Sequence, residues 1–327
     1  MKLSKKILIT GACGFFGSHL SEFFVKKGFS VVAFDRYNPT NDFGWLQNSQ
    51  YKKDIEFILG DIRDYDSVYK AIQGSEICIH LAALIGIPYS YISPLAYLKT
   101  NVEGTYNVLE ATKNLNTEQV IITSTSEIYG SSQYNPMDEL HPINAQSPYA
   151  ASKVAADQLS LSYYKSFNLP IKIARPFNIY GPRQSLRAVI PSIISQCINN
   201  INPIKIGNIE SERDFTYVSD TCESFNCILE SSKLFGEIVN IGTGKNISIK
   251  NLAELIIEKI EKSKSFSVDQ NRLRPEKSEV SSLLASTSKI YTNTKWKSKI
   301  SISEGIDKTI YWMEENLNKF KSSNYIV

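Results

Sequence analysis

Three observations predict an α/β fold, with a doubly wound parallel sheet and a smaller interleaved lobe towards the C-terminus. Short apolar runs alternate with helical stretches through the first half of the chain, and a glycine-rich turn joins the first run to the first helix. From about residue 178 the texture changes to shorter elements, turn residues and isolated arginines. Lys6-Ile7-Leu8-Ile9 has the continuous apolar character of a strand covered on both faces. It leads through Thr10-Gly11-Ala12-Cys13-Gly14-Phe15-Phe16-Gly17 into Ser18 to Lys27, whose apolar positions recur at helical spacing before Gly28. Val31 to Asp35 supplies a second strand, and Ile55 to Gly60 a third that ends at Asp61-Ile62. The spacing then predicts a helix over Asp66 to Gln73, a buried strand over Glu76 to Leu81, and a long helix over Pro94 to Asn114. A strand over Gln119 to Thr123, a helix over Ser147 to Phe167 and a strand over Ile171 to Pro176 complete the alternation.

Val239-Asn240-Ile241-Gly242 reads as a return to the first lobe, so the two lobes interleave. The expected division is residues 1–177 with about 214–243 in the first domain, and 178–213 with 244–327 in the second. A chain of 327 residues has ample material for such a core. Net charge is only +3 and the lysines are scattered, which argues against nucleic acid or an anionic membrane surface as partner. The N-terminus lacks the apolar stretch of a secretory signal and no run reaches spanning length, so the cytoplasm is the expected compartment. The cysteines at 13, 78, 197, 222 and 227 and the histidines at 19, 80 and 141 show no paired metal spacing, and no metal site is expected. Cys222 and Cys227 fall in a predicted helix and read as packing residues.

Strand, glycine turn and helix in that order predict a dinucleotide site. Gly11, Gly14 and Gly17 permit the tight turn, the close approach of a pyrophosphate and close helix–strand packing, while free N–H groups at the helix start attract the anion. Asp35 ends the next strand about 20 residues further on, where an acid accepts hydrogen bonds from ribose hydroxyls and repels a 2′-phosphate. NAD is therefore favoured over NADP, with Arg36 pulling the other way. The first lobe is a Rossmann domain on this reading.

Tyr149 and Lys153 stand four apart on one predicted helix and so share a face. A tyrosine with a pKa of about 10 is a poor base at neutral pH, but an adjacent ammonium and the positive nicotinamide favour its phenolate. Tyr149 then removes a hydroxyl proton while the neighbouring carbon gives hydride to the nicotinamide. Ser124-Thr125-Ser126-Glu127 lies just beyond the carboxyl end of a strand, where open α/β sheets bind their ligands.

With these residues in view, the chain resembles the extended short-chain dehydrogenase/reductases of the nucleotide-sugar epimerase/dehydratase family, nearly end to end. The likeness is carried by Thr10 to Gly17, Asp61-Ile62, His80-Leu81-Ala82-Ala83, Asn101, Ser124 to Gly130, Tyr149, Lys153, Ala174 to Gln184, Arg213-Asp214-Phe215 and Arg274-Pro275. Within the family, Ala188-Val189-Ile190-Pro191 and Arg274 to Val280 most resemble 4,6-dehydratases acting on nucleotide-linked N-acetylglucosamine in the legionaminic acid pathway of surface polysaccharide biosynthesis.

The resemblance implies that Thr125 hydrogen-bonds the sugar O4 and that Lys153 also holds the nicotinamide ribose. It implies a cofactor set of Gly11, Gly14, Phe15, Phe16, Gly17, Asp35 and Arg36 at the turn, with Asp61 and Ile62 flanking adenine. Leu81, Ala82 and Ala83 would line the cofactor channel, and Asn101, Ser124 and Pro176 would complete it. Asn178, Arg213 and Arg274 would grip the substrate diphosphate, for which a guanidinium fork is well shaped, with Val189 beside them. A homodimer through the helices from Pro94 and Ser147 is also implied, with Tyr106, Leu109, Leu161 and Tyr164 facing outward or into the core.

Glu127 separates the reactions open to such a site. Oxidation at C4 acidifies the C5 hydrogen, so a nearby carboxylate can remove it and drive loss of the C6 hydroxyl as water, whereas a 4-epimerase gains nothing from an acid there. Hexose 4,6-dehydratases of the dTDP-glucose kind carry an Asp before this Glu, and here the place is taken by Ser126, a poor general acid. Either Glu127 relays its proton, or water mediates, or the reaction finishes differently: Thr-Ser-Glu also resembles UDP-glucuronate decarboxylases. The expectation is an NAD-dependent nucleotide-sugar 4,6-dehydratase acting on GDP- or UDP-N-acetylglucosamine. The alternatives are a 4-epimerase, a C4-dehydrogenase or a decarboxylase.

Overall fold

The computed structural model describes residues 4–320. The first lobe begins with β1 (Lys6–Thr10), α1 (Phe15–Lys26), β2 (Ser30–Arg36), β3 (Ile55–Gly60), α2 (Tyr65–Ile72) and β4 (Ile77–His80). It continues through α3 (Ile87–Ile92), α4 (Pro94–Tyr97), a π-helical turn over Leu98–Glu103, α5 (Gly104–Asn114), β5 (Gln119–Thr123), α6 (Pro148–Phe167) and β6 (Ile171–Pro176). Next come β7 (Asn178–Tyr180), α7 (Val189–Ile198), β8 (Ile204–Ile206), β9 (Glu212–Arg213), β10 (Phe215–Tyr217), α8 (Val218–Glu230) and β11 (Ile238–Ile241). The chain ends with β12 (Ile247–Ser248), α9 (Ile249–Ile260), β13 (Phe266–Val268), β14 (Ser282–Leu283), α10 (Ser288–Thr294) and α11 (Ile302–Asn316).

Seven strands form one parallel sheet in the order β11-β6-β5-β4-β1-β2-β3. Alternate residues of each strand serve opposite faces. Ile7 and Ile9 of β1 pack with Leu20 and Phe24 of α1 and Phe225 and Ile228 of α8. Leu8, between them, faces the other way, into a core shared with Val68 of α2, Val108 of α5 and Tyr163 of α6. This two-sided covering is what makes the strands legible as continuous apolar runs. The strand order reverses at β1 and β4, whose carboxyl ends open a crevice.

The second lobe buries its own core among α7, α9 and α11, with Tyr180, Phe215 and Tyr217 from β7 and β10. β7 pairs in parallel with β10, β8 with β13, and β9 lies between antiparallel β12 and parallel β14. No helix among the described residues is long and apolar enough to cross a membrane.

Three expectations change. The long helix from Pro94 is interrupted by the π-helical turn, which carries Asn101. Periodicity alone does not reveal one extra residue in a turn, because the apolar stripe resumes beyond it. The chain also returns to the first lobe a second time: Ile290 of α10 and Trp296 join the core beneath β11, although residues 244–327 had read as one lobe. The exposed side of an edge strand needs cover, and no composition shift marks which segment supplies it. Finally, Leu109 lies in the core, Leu161 and Tyr164 pack half-buried against it, and Tyr106 remains exposed.

Candidate active site

The glycine turn is built by contact as much as by flexibility. Gly11 has φ +69° and donates its N–H to the Phe34 carbonyl at 2.8 Å. A Cβ on Gly17 would lie 2.1 Å from the Gly11 carbonyl oxygen, so only glycine lets α1 pack this closely on the turn. Gly14 caps α1 without a side-chain acceptor, and its first turn holds no acid, so the leading N–H groups face outward as an anion site. The Phe16 ring turns away from them and packs edge-on against Phe225, leaving the backbone of Phe15, Phe16 and Gly17 for a ligand. Asp35 is drawn towards the turn by the Cys13 N–H, which donates to its carboxylate at 2.7 Å.

Around this cradle the predicted cofactor residues differ in what they have left to offer. Asp61 is chelated by Arg63, whose Nε and Nη2 donate to it at 2.9 and 2.5 Å and hold its carboxyl below the usual range. Arg36, at the end of β2, adds to that field. Ile62 is packed under Gly104. The Leu81 and Ala82 N–H groups both donate to the Thr10 hydroxyl at 3.1 Å, so its own proton goes to His80 Nδ1 at 2.8 Å. His80 is therefore the Nε2–H tautomer, donating to Thr105 at 3.1 Å, and burial first, then the charge of Lys153, pushes its pKa down to about 3. Ala83 continues this half-buried rim. Asn101 spends its amide on Leu84 and Ser152, accepting from the Leu84 N–H at 2.8 Å and donating to the Leu84 carbonyl and Ser152 Oγ at 2.9 Å. It pins the loop after β4 to α6.

Tyr149 and Lys153 emerge from the start of α6. Ser147 caps that helix by accepting the Ala150 N–H at 3.1 Å, with Pro148 in its first turn. Both functional side chains are buried, and the Tyr149 ring sits edge-on to Tyr97 at 6.2 Å. Burial pushes the phenol well above its ordinary pKa, a hydrogen bond with Thr125 opposes this, and the charge of Glu127 reinforces it. Lys153 follows one turn further along α6. Its ammonium donates to the Thr123 carbonyl at 2.6 Å and is itself disfavoured by burial, with Asp157 opposing that loss of charge.

Asp157 was not singled out by sequence. It accepts from Ser124 Oγ at 2.6 Å and from Arg175 at 2.9 Å in a fully buried ion pair behind the Ser124–Glu127 segment. Arg175 also donates to the Tyr129 hydroxyl at 2.5 Å, which donates on to Asn240 at 2.8 Å. The signal was present, because Asp157 follows Lys153 by the same four residues that separate Lys153 from Tyr149. Ser124, placed by sequence on the cofactor, thus turns its hydroxyl inward. Pro176 closes β6 opposite Ile241.

Thr125, Ser126 and Glu127 follow β5 into a buried 3-10 turn in which the Thr125 hydroxyl accepts the Glu127 N–H at 3.3 Å. On the far side of Glu127 lies a cavity of about 270 Å³ lined by Asn178, Val189, Arg187, Lys205, Arg213, Arg272 and Arg274. Arg187, in a turn, and Lys205, in the short strand β8, were not anticipated; single basic residues carry no spacing by which to find them. Asn178 Oδ1 is buried without a hydrogen-bond partner. Arg213 is buried on β9, donating to the Glu212 carbonyl at 2.9 Å and pairing with Glu279 at 3.5 Å; desolvation lowers its pKa while Glu127 opposes that. Arg274 pairs with Glu127 at 3.5 Å. Cations in such number suit a phosphorylated ligand. Glu127 thus meets Arg274 of that cavity on one side, and its charge acts on the Tyr149 phenol on the other.

A family model described as GDP-mannose 4,6 dehydratase matches residues 8–309. The chain belongs to this epimerase/dehydratase family. Relatives within it differ in activity. The human protein named dTDP-D-glucose 4,6-dehydratase is 32% identical over 98% of this chain and 93% of its own length. A UDP-glucuronate 4-epimerase of Thermodesulfobacterium geofontis is 33% identical over 96% of this chain and 98% of its own. Among solved structures, Pal from Bacillus thuringiensis is 32% identical and superposes with a TM-score of 0.87 over 95% of this chain and 99% of that one. The family is an α/β, NAD-dependent branch of the extended short-chain dehydrogenase/reductases, which agrees with the sheet order and the glycine turn seen here.

Proposed function

We propose that this protein is an NAD-dependent nucleotide-sugar 4,6-dehydratase. The observation that carries the reading is Glu127, a buried carboxylate set between the Tyr149 phenol and a cation-lined cavity. NAD, when bound, supplies the hydride acceptor for C4 oxidation and returns the hydride to C6. The residues fit it: the uncapped N-terminus of α1 offers donors for a pyrophosphate and Asp35 an acceptor for ribose hydroxyls. Tyr149 takes the O4 proton, with Thr125 holding O4 and Lys153 beneath providing positive charge. Because burial holds the phenol protonated in the free protein, its ionisation depends on charge arriving with the ligands. Glu127 then takes the C5 proton and, with the Ser126 hydroxyl beside it and no second acid, delivers that proton to the departing O6, which leaves as water; C5 afterwards takes a proton from solvent as C6 is reduced. Arg213, Arg274 and Asn178 hold the diphosphate.

The favoured substrates are GDP- and UDP-N-acetylglucosamine, because Val189 and the Arg274 to Val280 segment resemble the dehydratases of such sugars. Incubation of the NAD-loaded protein with each, followed by mass spectrometry, is expected to show loss of one water; unchanged mass with both overturns the assignment. A second reading, C4 oxidation ending in epimerisation or decarboxylation, is favoured by Ser126 standing where an acid would protonate the leaving hydroxyl. Product of unchanged mass but altered configuration, or released carbon dioxide from a uronate, identifies it. We place the enzyme in the cytoplasm as a homodimer joined through the helices from Pro94 and Ser147, the first of which exposes Leu95, Leu98 and Tyr106.

A further inference from the structure

We propose that Arg274 is a positioning residue shared between Glu127 and the diphosphate. In the free protein it occupies the Glu127 carboxylate; the bound anion draws it away, so the carboxylate is free to accept the C5 proton only when substrate is in place. The inference rests on the dehydratase reading for what Glu127 does, and on the cavity alone for what Arg274 binds.

Arg274 Nη1 stands 3.5 Å from Glu127 Oε2, and the two side chains are 23% and 11% exposed. The separation is at the long limit of a hydrogen bond, so the contact is easily exchanged for a better one. The same guanidinium lines the cavity beside Arg187, Arg213, Lys205 and Arg272, where a diphosphate would offer it two charged acceptors at once. Arg213 has less freedom. It is 6% exposed at its side chain, fixed in β9, and held by the Glu212 carbonyl at 2.9 Å as well as by Glu279.

The backbone that carries Arg274 is anchored just beyond it. Gln146 donates to the Lys277 carbonyl at 2.9 Å, and Ser278 Oγ donates to the Gln146 carbonyl at 2.5 Å while meeting the Tyr91 hydroxyl at 2.6 Å. Pro275 follows Arg274 directly and restricts it further. With the main chain so tied, the exchange is a swing of one side chain. A carboxylate oxygen engaged by a guanidinium N–H is not free to accept a proton from carbon, so the swing couples occupancy of the cavity to readiness of the base.

The test is a double-mutant cycle read by binding, without turnover. UDP, GDP and dTDP are titrated calorimetrically into NAD-saturated wild type, Glu127→Gln, Arg274→Gln and the double variant. For the nucleotide that wild type binds best, Glu127→Gln is expected to tighten binding about fivefold when Arg274 is present and less than about twofold when it is Gln. Arg274→Lys, which keeps the charge, should restore part of the difference, and melting curves establish that each variant is folded. An equal gain in both Arg274 backgrounds would mean that Glu127 acts only as distant negative charge, and overturns the exchange. So does the absence of any effect of Glu127→Gln, or of binding by all three nucleotides. Because no product is measured, a chain that proves to be an epimerase leaves this result standing, and a dehydratase without the coupling loses only the exchange.

Discussion

On the proposed reaction Tyr149 and Glu127 divide the work between them, and their substitutions should separate its two halves. Tyr149→Phe removes the buried phenol that hydrogen-bonds Thr125, and we expect a loss of C4 oxidation by a factor of about 10² or more, with NAD binding retained. Glu127→Gln should leave C4 oxidation intact and block water loss, so that reduced cofactor absorbance accumulates without product; normal turnover of that variant would remove Glu127 from the mechanism. Asp157 acts differently. Its loss leaves Arg175 charged and fully buried, and Asp157→Ala should destabilise the fold by about 3–5 kcal/mol in urea titrations, far more than a surface pair would. Tyr149, Lys153 and Glu127 were legible in sequence because strand ends and helical spacing place them. Asp157 and Arg175 were less so, since a buried pair between a helix and a strand is joined only by the packing of α6 on the sheet.

Elements explain why these side chains stand where they do. α6 starts at Ser147, whose cap and the following proline set the helix so that Tyr149 points at Thr125. Ser147→Ala should cost about 1 kcal/mol of stability and lower kcat more than it raises KM, because it loosens the first turn that bears the phenol. The turn before α1 is stricter. A methyl group at Gly17 would lie 2.1 Å from the Gly11 carbonyl oxygen, so Gly17→Ala must displace α1 from the turn; calorimetry should find NAD binding lost or weakened by more than about tenfold. The strands from β1 to β6 were readable nearly to their ends, because β1, β4, β5 and β6 are covered on both faces and the flanking β2 and β3 keep mostly apolar runs. The π-helical turn at Leu98–Glu103 was not, and it matters, since it sets Asn101 against Leu84 and Ser152.

At the scale of the molecule, a few polar contacts hold the two lobes as one, and a histidine buried in the first lobe sets a response to pH. Arg183 reaches from the second lobe to Glu22 of α1 with two bonds of 3.1 Å, and Tyr91 meets Ser278 across the mouth of the site. His80, buried beneath the glycine turn, has its pKa lowered from 6.5 to about 3. The unfolded chain takes up that proton below pH 6.5 while the folded protein does not, so stability is fully present above 6.5 and falls as pH drops towards 3. The slope from this group reaches about 1.4 kcal/mol per pH unit. Urea midpoints measured at pH 7 and pH 5 should show the decline, and His80→Gln should flatten it; an unchanged slope would assign the effect elsewhere. The amino-acid sequence by itself determined the alternation of strands and helices, the glycine turn and the spacing of Tyr149 and Lys153, because these are local patterns of continuous apolar runs, period 3.6 and steric permission. Only the tertiary structure decided that α10 covers β11, that Lys153 turns to Thr123, and that Glu127 stands against Arg274. Each joins residues far apart in the chain, and such partners are chosen by burial and charge pairing that no local pattern encodes.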